Sequence, residues 1–224
     1  MSNFPRFINS VSDHNAAIRR SIEPYLDRSC FIFGNGPSCA KANPCLENAF
    51  VCRTNWFFLE NEAKFGLDVD AYFCGIYNQE MLRQLSQSKY NIKRFFAPFN
   101  FFEHSSINDY LYRSNFVACY SHWNLISENY ALGKEFVKRP LPTQGIQMIA
   151  TAAILGFKNI EIYGIDFYQG EGERYFYSQT EKSRRALESK DIEPGYEANH
   201  SIDTDKRILS LIQQEFPDTN IAFN

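Results

Sequence analysis

The residues best suited to chemistry in this chain stand in short polar turns that border apolar segments. One such turn, Thr143-Gln144-Gly145-Ile146, opens an Ala-rich helical pattern, and Thr143 can cap that helix with its side chain. The backbone N–H groups of Gln144, Gly145 and Ile146 then have no acceptor within the helix, and such groups bind carboxylates and phosphates well. The turn therefore predicts an anion site.

A second candidate is the turn GNGPS at residues 34–38, which follows a short apolar segment. Two glycines after a strand let a ligand approach the backbone closely, but Cys39 stands where a dinucleotide-binding fingerprint has its third glycine. After the next apolar segment comes Asn55, where NAD-binding folds place an acidic residue. Asn55 can hydrogen-bond a sugar or a base, or it can simply form a turn. A dinucleotide-binding site is thus disfavoured, and another nucleotide stays open.

Two other patterns favour structural roles. The D-x-D triplet at residues 68–70 could hold a metal ion on a nucleotide-sugar diphosphate, but it precedes its strand, which favours carboxylates in a solvated turn. A histidine beside a tryptophan, as in His122-Trp123, is more often packed than catalytic. We therefore expect no metal site.

The hydrophobic pattern predicts the elements that position these residues. It predicts strands at residues 29–33, 49–53, 69–75, 92–97, 116–120, 159–164 and 220–223. It predicts helices at residues 7–26, 79–87 and 146–155, and another around the apolar face of residues 208–212. This alternation indicates an α/β fold with a mainly parallel sheet, in which Asp166 and Tyr168 follow the carboxyl end of a strand. Ligands bind at that edge of open α/β sheets.

Composition sets limits on the function. The chain has 224 residues, 44% of them hydrophobic, and a net charge of −3, so it lacks the basic field that a general nucleic-acid binder needs. Its six cysteines show no C-x-x-C spacing, which favours buried thiols in a reducing compartment. No run of about 18 apolar residues or leader-like segment is found, so we expect a soluble cytoplasmic protein.

Together the motifs resemble the bacterial sialyltransferases of glycosyltransferase family 42, over roughly residues 29–223. The segments that carry the resemblance are FGNGPS at 33–38, RTN at 53–55, TQG at 143–145, GIDFYQ at 164–169, Tyr175 and HSIDTD at 200–205. The resemblance implies an inverting, metal-independent enzyme without a cofactor. Such an enzyme moves sialic acid from CMP-sialic acid to a galactose or sialic acid acceptor on a bacterial surface glycan, either lipooligosaccharide or capsule.

The resemblance also implies an architecture and a setting. It predicts one Rossmann-like domain, a GT-A variant, at residues 29–224, with a flexible lid within residues 170–199 over the site. Residues 1–28 lie outside the resemblance, and their helical spacing of apolar residues predicts an N-terminal helical extension. The partners would be a CMP-activated donor and a glycan or glycolipid acceptor, at the inner face of the inner membrane. Peripheral membrane contact and homo-oligomer formation stay open.

The resemblance implies the following site residues. Contacts to CMP would come from Asn35, Ser38, Asn55, Gly164 and Ile165. Contacts to the donor sugar and its carboxylate would come from Thr143, Gln144 and Gly145. Tyr168 and Tyr175 would donate hydrogen bonds to the departing phosphate, and His200 would be the general base.

Three positions depart from the family's pattern. Gln144 stands in place of a serine, Gly75 in place of an asparagine and Leu141 in place of an arginine. The transferred sugar is therefore open, and a related nonulosonic acid such as legionaminic acid or Kdo is an alternative. Two other hypotheses are a catalytically silent nucleotide-sugar binding protein and a Rossmann-type oxidoreductase.

Overall fold

Seven parallel strands form the central sheet of the protein, in a computed structural model that describes residues 11–60, 62–75, 79–98, 118–167 and 200–224. The strands are β1 (Cys30–Phe33), β2 (Phe50–Thr54), β4 (Ala71–Phe73), β6 (Arg94–Ala97), β7 (Ala118–Ser121), β8 (Asn159–Tyr163) and β9 (Asn220–Phe223). Strands β1, β2, β4 and β6 are buried along their whole length, as a parallel sheet covered on both faces requires. The predicted α/β fold with a mainly parallel sheet is confirmed.

Six helices are found in the described residues. They are α1 (Val11–Ile22), α2 (Gln79–Ser86), α3 (His122–Ile126), α4 (Tyr130–Phe136), α5 (Gln144–Leu155) and α6 (Ile202–Glu215). Short 3-10 turns lie at Glu23–Tyr25, Pro37–Lys41 and Phe57–Leu59, and a small second sheet pairs β3 (Asp68–Val69) with β5 (Asn91–Ile92). The sequence did not predict α3, α4 or the small sheet.

The strand order of the large sheet is β7-β6-β4-β2-β1-β8-β9. From β1 the chain builds outward through β2, β4, β6 and β7, and it then returns to the other side of β1 to add β8 and β9. The direction of winding thus reverses between β1 and β8. In open α/β sheets a crevice forms at the carboxyl edge of such a switch point, and ligands bind there.

Helix α5 packs across the middle of the sheet. Every one of its residues except Gly145 is buried, and the small side chains of Ala150, Ala152 and Ala153 allow the close approach that the sequence predicted. Gly156 ends the helix in a left-handed conformation with φ 101°, also as predicted. The N-terminal end of this helix reaches the carboxyl edge of the sheet.

Helix α1 packs into the same core as the rest of the chain. Ile18 and Ile22 are 0% and 1% exposed and belong to the cluster around α5. Asn15 Nδ2 donates to the carbonyl oxygen of Asn124 at 3.1 Å, and Arg19 Nη1 donates to that of Ile154 at 3.0 Å. The described part of the N-terminal extension therefore contributes to one common hydrophobic core.

Two expectations from composition can be compared with the structure. Cys30, Cys39, Cys52 and Cys74 are buried as expected, whereas Cys45 is exposed. None of the helices in the described ranges has the length and apolar character that crossing a bilayer requires.

Candidate active site

The loops that follow β1 and β8 are joined to each other at the switch point. The backbone N–H of Gly36 donates to the carbonyl oxygen of Gly164 at 2.9 Å, and the N–H of Gly164 donates to Ser38 Oγ at 2.9 Å. The N–H of Ser38 donates to Asp166 Oδ2 at 2.9 Å. Segments that lie more than 120 residues apart in the chain therefore form one hydrogen-bonded ledge at the carboxyl edge of the sheet.

The glycines of this ledge are required by the contact between the two loops. A Cβ at Gly34 would stand 2.1 Å from the carbonyl oxygen of Gly164, and one at Gly164 would stand 2.4 Å from Cys39 Sγ. Gly164 also has a φ of 69°. Burial raises the pKa of Cys39 to about 12, so its thiol stays protonated where a third fingerprint glycine was sought. Loop packing thus explains these glycines without a dinucleotide.

Asn35 and Asn55 lie at the ends of neighbouring strands, as predicted. Asn35 Nδ2 donates to the carbonyl oxygen of Thr54 at 3.1 Å, while its Oδ1 is buried without a hydrogen-bond partner in the described residues. Asn55 adopts a left-handed conformation with φ 48°, and its Oδ1 accepts a bond from the N–H of Gly75 at 3.1 Å. The structure thus places both amides at the carboxyl edge of the sheet, where Asn35 has one unpaired acceptor.

Thr143 begins α5, but the prediction that its side chain caps the helix is wrong. Its Oγ1 donates to Asp205 Oδ2 at 2.7 Å, and its N–H donates to Asp205 Oδ1 at 2.9 Å. The bond to this carboxylate of α6 orients the hydroxyl, and its oxygen accepts no hydrogen bond from the first turn of α5. Burial raises the pKa of Asp205, and the two bonds from Thr143 offset part of that effect.

Gln144 and Gly145 occupy the start of α5 as expected. A Cβ at Gly145 would stand 2.7 Å from Ile165 Cδ1, so the absence of a side chain lets this turn pack on the loop after β8. The side chain of Gln144 lies over Gly75 at the end of β4. The helix start thus contacts both sides of the crevice.

His200 lies just before α6 and is hydrogen-bonded to the loop that leads into α5. Its Nδ1 is 2.8 Å from the carbonyl oxygen of Leu141. A carbonyl oxygen can only accept, so Nδ1 carries the hydrogen and the lone pair of the neutral ring is on Nε2. The half-buried imidazole is therefore held against the backbone of Leu141, two residues before Thr143, and Nε2 is its basic nitrogen.

His122 is packed, as predicted. It is fully buried, and its Nε2 lies 2.8 Å from Gln147 Oε1, which also accepts from Trp123 Nε1 at 2.9 Å. Gln147 Nε2 in turn donates to the carbonyl oxygen of Pro142 at 2.9 Å. Burial lowers the pKa of His122 to about 4, so the ring is neutral near pH 7.

The acidic triplet at residues 68–70 has a structural role. Asp68 Oδ1 accepts from Asn91 Nδ2 at 2.7 Å. Asp70 Oδ2 accepts from the N–H of Val51 at 2.9 Å, and its Oδ1 accepts from Lys93 Nζ at 2.8 Å. The expected solvated turn is found for Asp68, which is exposed, but is wrong for Asp70, which is 5% exposed. Asp70 is buried because its two oxygens are paired with a strand N–H and a lysine.

Some predicted residues lie outside the described part of the chain, and some residues of the site were missed. Tyr168, Tyr175 and the lid at residues 170–199 are not described, so their roles stay predictions. The partner roles of Asp166 and Asp205 were not predicted. Asp205 belongs to the HSIDTD segment, but no local spacing indicates a bond to a residue 62 positions earlier.

The chain matches a known protein family over most of its length. The family model described as alpha-2,3-sialyltransferase (CST-I) matches residues 28–223. The chain belongs to this family. The sialyltransferase CstII of Campylobacter jejuni, solved with the substrate analogue CMP-3FNeuAc, has a TM-score of 0.65 at 21% identity and covers 88% of this chain and 81% of its own.

Two further matches differ in extent. The monofunctional alpha-2,3-sialyltransferase Cst-I of C. jejuni has a TM-score of 0.63 at 21% identity, covering 88% of this chain and 75% of its own. An uncharacterized protein of Haemophilus influenzae is 33% identical over 75 residues, which span 33% of this chain and 32% of that protein. The structural matches establish the shared fold.

Proposed function

We propose that this protein is an inverting glycosyltransferase. It transfers sialic acid or a related nonulosonic acid from its CMP donor to a galactose or sialic acid acceptor on a bacterial surface glycan, lipooligosaccharide or capsule. Membership of the CST-I family supports the reaction class. CstII of C. jejuni has been solved with a trisaccharide acceptor and CMP, which supports this pair of substrates.

The observation that carries the proposal is the position of His200 beside the start of α5. One hydrogen bond from His200 to Leu141, and two from Thr143 to Asp205, join the two segments. The backbone N–H groups at the start of α5 suit the donor's carboxylate. Under this proposal a base is held next to an anion site, as attack on the anomeric carbon of such a donor requires.

The chemical step follows from this arrangement. His200 Nε2 takes the proton of the acceptor hydroxyl while the oxygen attacks the anomeric carbon. The bond between that carbon and the phosphate oxygen breaks, and its electron pair leaves with CMP. Tyr168 and Tyr175 would donate hydrogen bonds to the phosphate as its negative charge grows. Displacement in one step inverts the configuration.

The proposal includes the conditions of the reaction. The enzyme acts without a divalent metal or another cofactor. A CMP donor carries only one phosphate, and hydrogen bonds from hydroxyl groups can stabilise its charge. It works in the cytoplasm at the inner face of the inner membrane, where activated donors and glycolipid acceptors meet. Peripheral membrane contact and self-association remain hypotheses.

The test is sugar transfer by a folded His200→Ala variant. Transfer should fall by about 100- to 10,000-fold, the usual span for a positioned base. Affinity for CMP should change little, because the base contacts the acceptor. His14→Gln is a matched control, since His14 Nε2 accepts a bond from the N–H of Ser121 at 2.7 Å and a glutamine oxygen can replace it.

The possible outcomes separate the competing hypotheses. Near-normal transfer by His200→Ala would remove the base from the mechanism. Binding of CMP donors by the wild type without transfer or donor hydrolysis would indicate the silent nucleotide-sugar binding protein. Binding of NAD(P) in preference to CMP would indicate the oxidoreductase.

A further inference from the structure

Gln144 has a buried carboxamide without protein partners. The residue is 8% exposed, and both Oε1 and Nε2 are buried without a hydrogen bond in the described part of the chain. Leaving such a group unsatisfied in the interior of a protein is destabilising. Gln147, on the same helix, bonds through both of its amide atoms. The unpaired amide of Gln144 is therefore a feature of this position and indicates that its two polar atoms pair with a bound molecule.

Gly75 provides the space in which this amide lies. A Cβ at Gly75 would stand 2.4 Å from Gln144 Oε1 and 3.3 Å from Gln144 Cδ. The backbone of Gly75 does not explain the glycine, because only Gly66, Gly156 and Gly164 are positive-φ glycines in the described residues. The steric role of Gly75 is thus to make room for the carboxamide.

Gly75 and Gln144 lie together at the carboxyl edge of the sheet. The N–H of Gly75 donates to Asn55 Oδ1, so the amide lies beside the end of β2. Gln144 is also the first residue of a 12-residue helix whose N-terminus faces this edge. Its two polar atoms therefore add a neutral donor and acceptor next to the anion site.

We propose that Gly75 and Gln144 act as one specificity-determining pair for the donor sugar. The carboxamide binds a neutral substituent that both donates and accepts hydrogen bonds, a hydroxyl or an acylamino group, and not the carboxylate. A carboxylate would satisfy Nε2 alone and would face the oxygen Oε1, whereas a hydroxyl or acylamino group can satisfy both atoms. This inference rests on the proposed function and specifies the donor that the site selects.

The experiment compares binding of CMP with binding of CMP-sialic acid, CMP-legionaminic acid, CMP-Kdo and analogues of the best donor that lack one hydroxyl or acylamino group. Calorimetry on Gln144→Met, which keeps the shape without polar atoms, should give about 5- to 100-fold weaker binding of the best donor. CMP affinity should stay unchanged. Gln144→Met should also lose the preference for the donor over one particular deletion analogue.

Gly75→Ala tests the pair without changing the amide itself. The new methyl group would displace the flexible end of Gln144, so the loss of donor affinity should match that of Gln144→Met. The double variant should lose no more donor affinity than either single variant, because both changes remove the same contact. Gln213→Met on the exposed face of α6 is the control for loss of a carboxamide elsewhere.

Each result decides between distinct conclusions. Full donor affinity and unchanged preference in Gln144→Met, with donor binding by the wild type intact, would overturn the pair and leave the proposed function standing. Additive losses in the double variant would overturn the coupling through Gly75. A wild-type protein that binds none of the CMP donors would instead contradict the proposed function.

Discussion

At the scale of single residues, Asp68 and Asp70 illustrate how the atoms already engaged decide what a motif can do. A metal-binding D-x-D motif needs carboxylate oxygens that point at a nucleotide diphosphate. Here Asp70 uses one oxygen for the N–H of Val51 and the other for Lys93. A metal ion would have to replace both bonds.

We therefore predict that EDTA leaves turnover largely unchanged. The donor phosphate would be served by hydroxyl groups, so removing divalent ions removes no catalytic group. The measurement is the rate of sugar transfer with and without EDTA, alongside a glycosyltransferase of known metal dependence. Activity that disappears with EDTA and returns on adding Mn²⁺ or Mg²⁺ would assign these carboxylates a catalytic role.

The positions of several candidate residues in the fold could be predicted from the sequence, but several of their contacts could not. Asn35, Asn55 and Gln144 follow from their positions after strands or at a helix start. The bond between Thr143 and Asp205 joins residues 62 positions apart, and only the tertiary fold brings them together. The local sequence favoured a side-chain cap by Thr143, but in the fold its hydroxyl donates to the buried carboxylate of Asp205 on another helix.

At the scale of elements, Asp205 fixes α6 to the start of α5. It is 1% exposed and accepts both the N–H and the hydroxyl of Thr143. Ser201 caps α6 by accepting from the N–H of Thr204 at 3.0 Å, so the helix that carries Asp205 begins right after His200. His200 and the start of α5 are thus positioned by one junction.

We predict that Asp205→Ala destabilises the protein and disturbs the site. It would leave two buried donors of Thr143 unsatisfied, at about 1–3 kcal/mol each. Urea unfolding should show this loss, and CMP-donor affinity should fall as well. Asp205→Asn is the matched control, because its oxygen can accept from the N–H and its amide can donate to the hydroxyl. Unfolding of Asp205→Ala at the wild-type midpoint would mean that the junction carries little energy.

The elements differed in how well they could be predicted. Strands β1, β2 and β8 and helix α5 have apolar patterns that specify their type. Helices α3 and α4 have 5 and 7 residues and depend on capping by Ser121 and Asn129, whose oxygens accept from the N–H groups of Asn124 and Leu132. Such short helices lie in mixed polar segments and are stabilised by caps and packing more than by periodicity.

At the scale of the whole molecule, buried histidines link folding to pH. The folded-state pKa of His122 is about 4, against 6.5 for an exposed histidine, so the unfolded chain binds the proton more readily. The contribution of His122 is therefore fully present above pH 6.5 and is lost as the pH falls toward 4. The loss amounts to roughly 3 kcal/mol.

We predict that His122→Gln flattens the pH dependence of unfolding between pH 7 and pH 4.5. Its amide can still donate toward Gln147 but does not titrate in this range. Urea midpoints across this range measure the effect, and His14→Gln is a separate comparison because burial also lowers the pKa of His14. A slope identical to that of the wild type in His122→Gln would show that other groups control acid stability.

The docking of α1 has a consequence for how the protein is made. Its polar contacts reach Asn124 and Ile154, which lie 109 and 135 residues further along the chain. A ribosome producing about 5–20 residues per second needs many seconds to deliver those partners after α1 has emerged. During that interval the apolar face of α1 has no native surface to cover it. Helix α1 therefore docks only after segments made much later are available, and newly made chains should depend on chaperones during that interval.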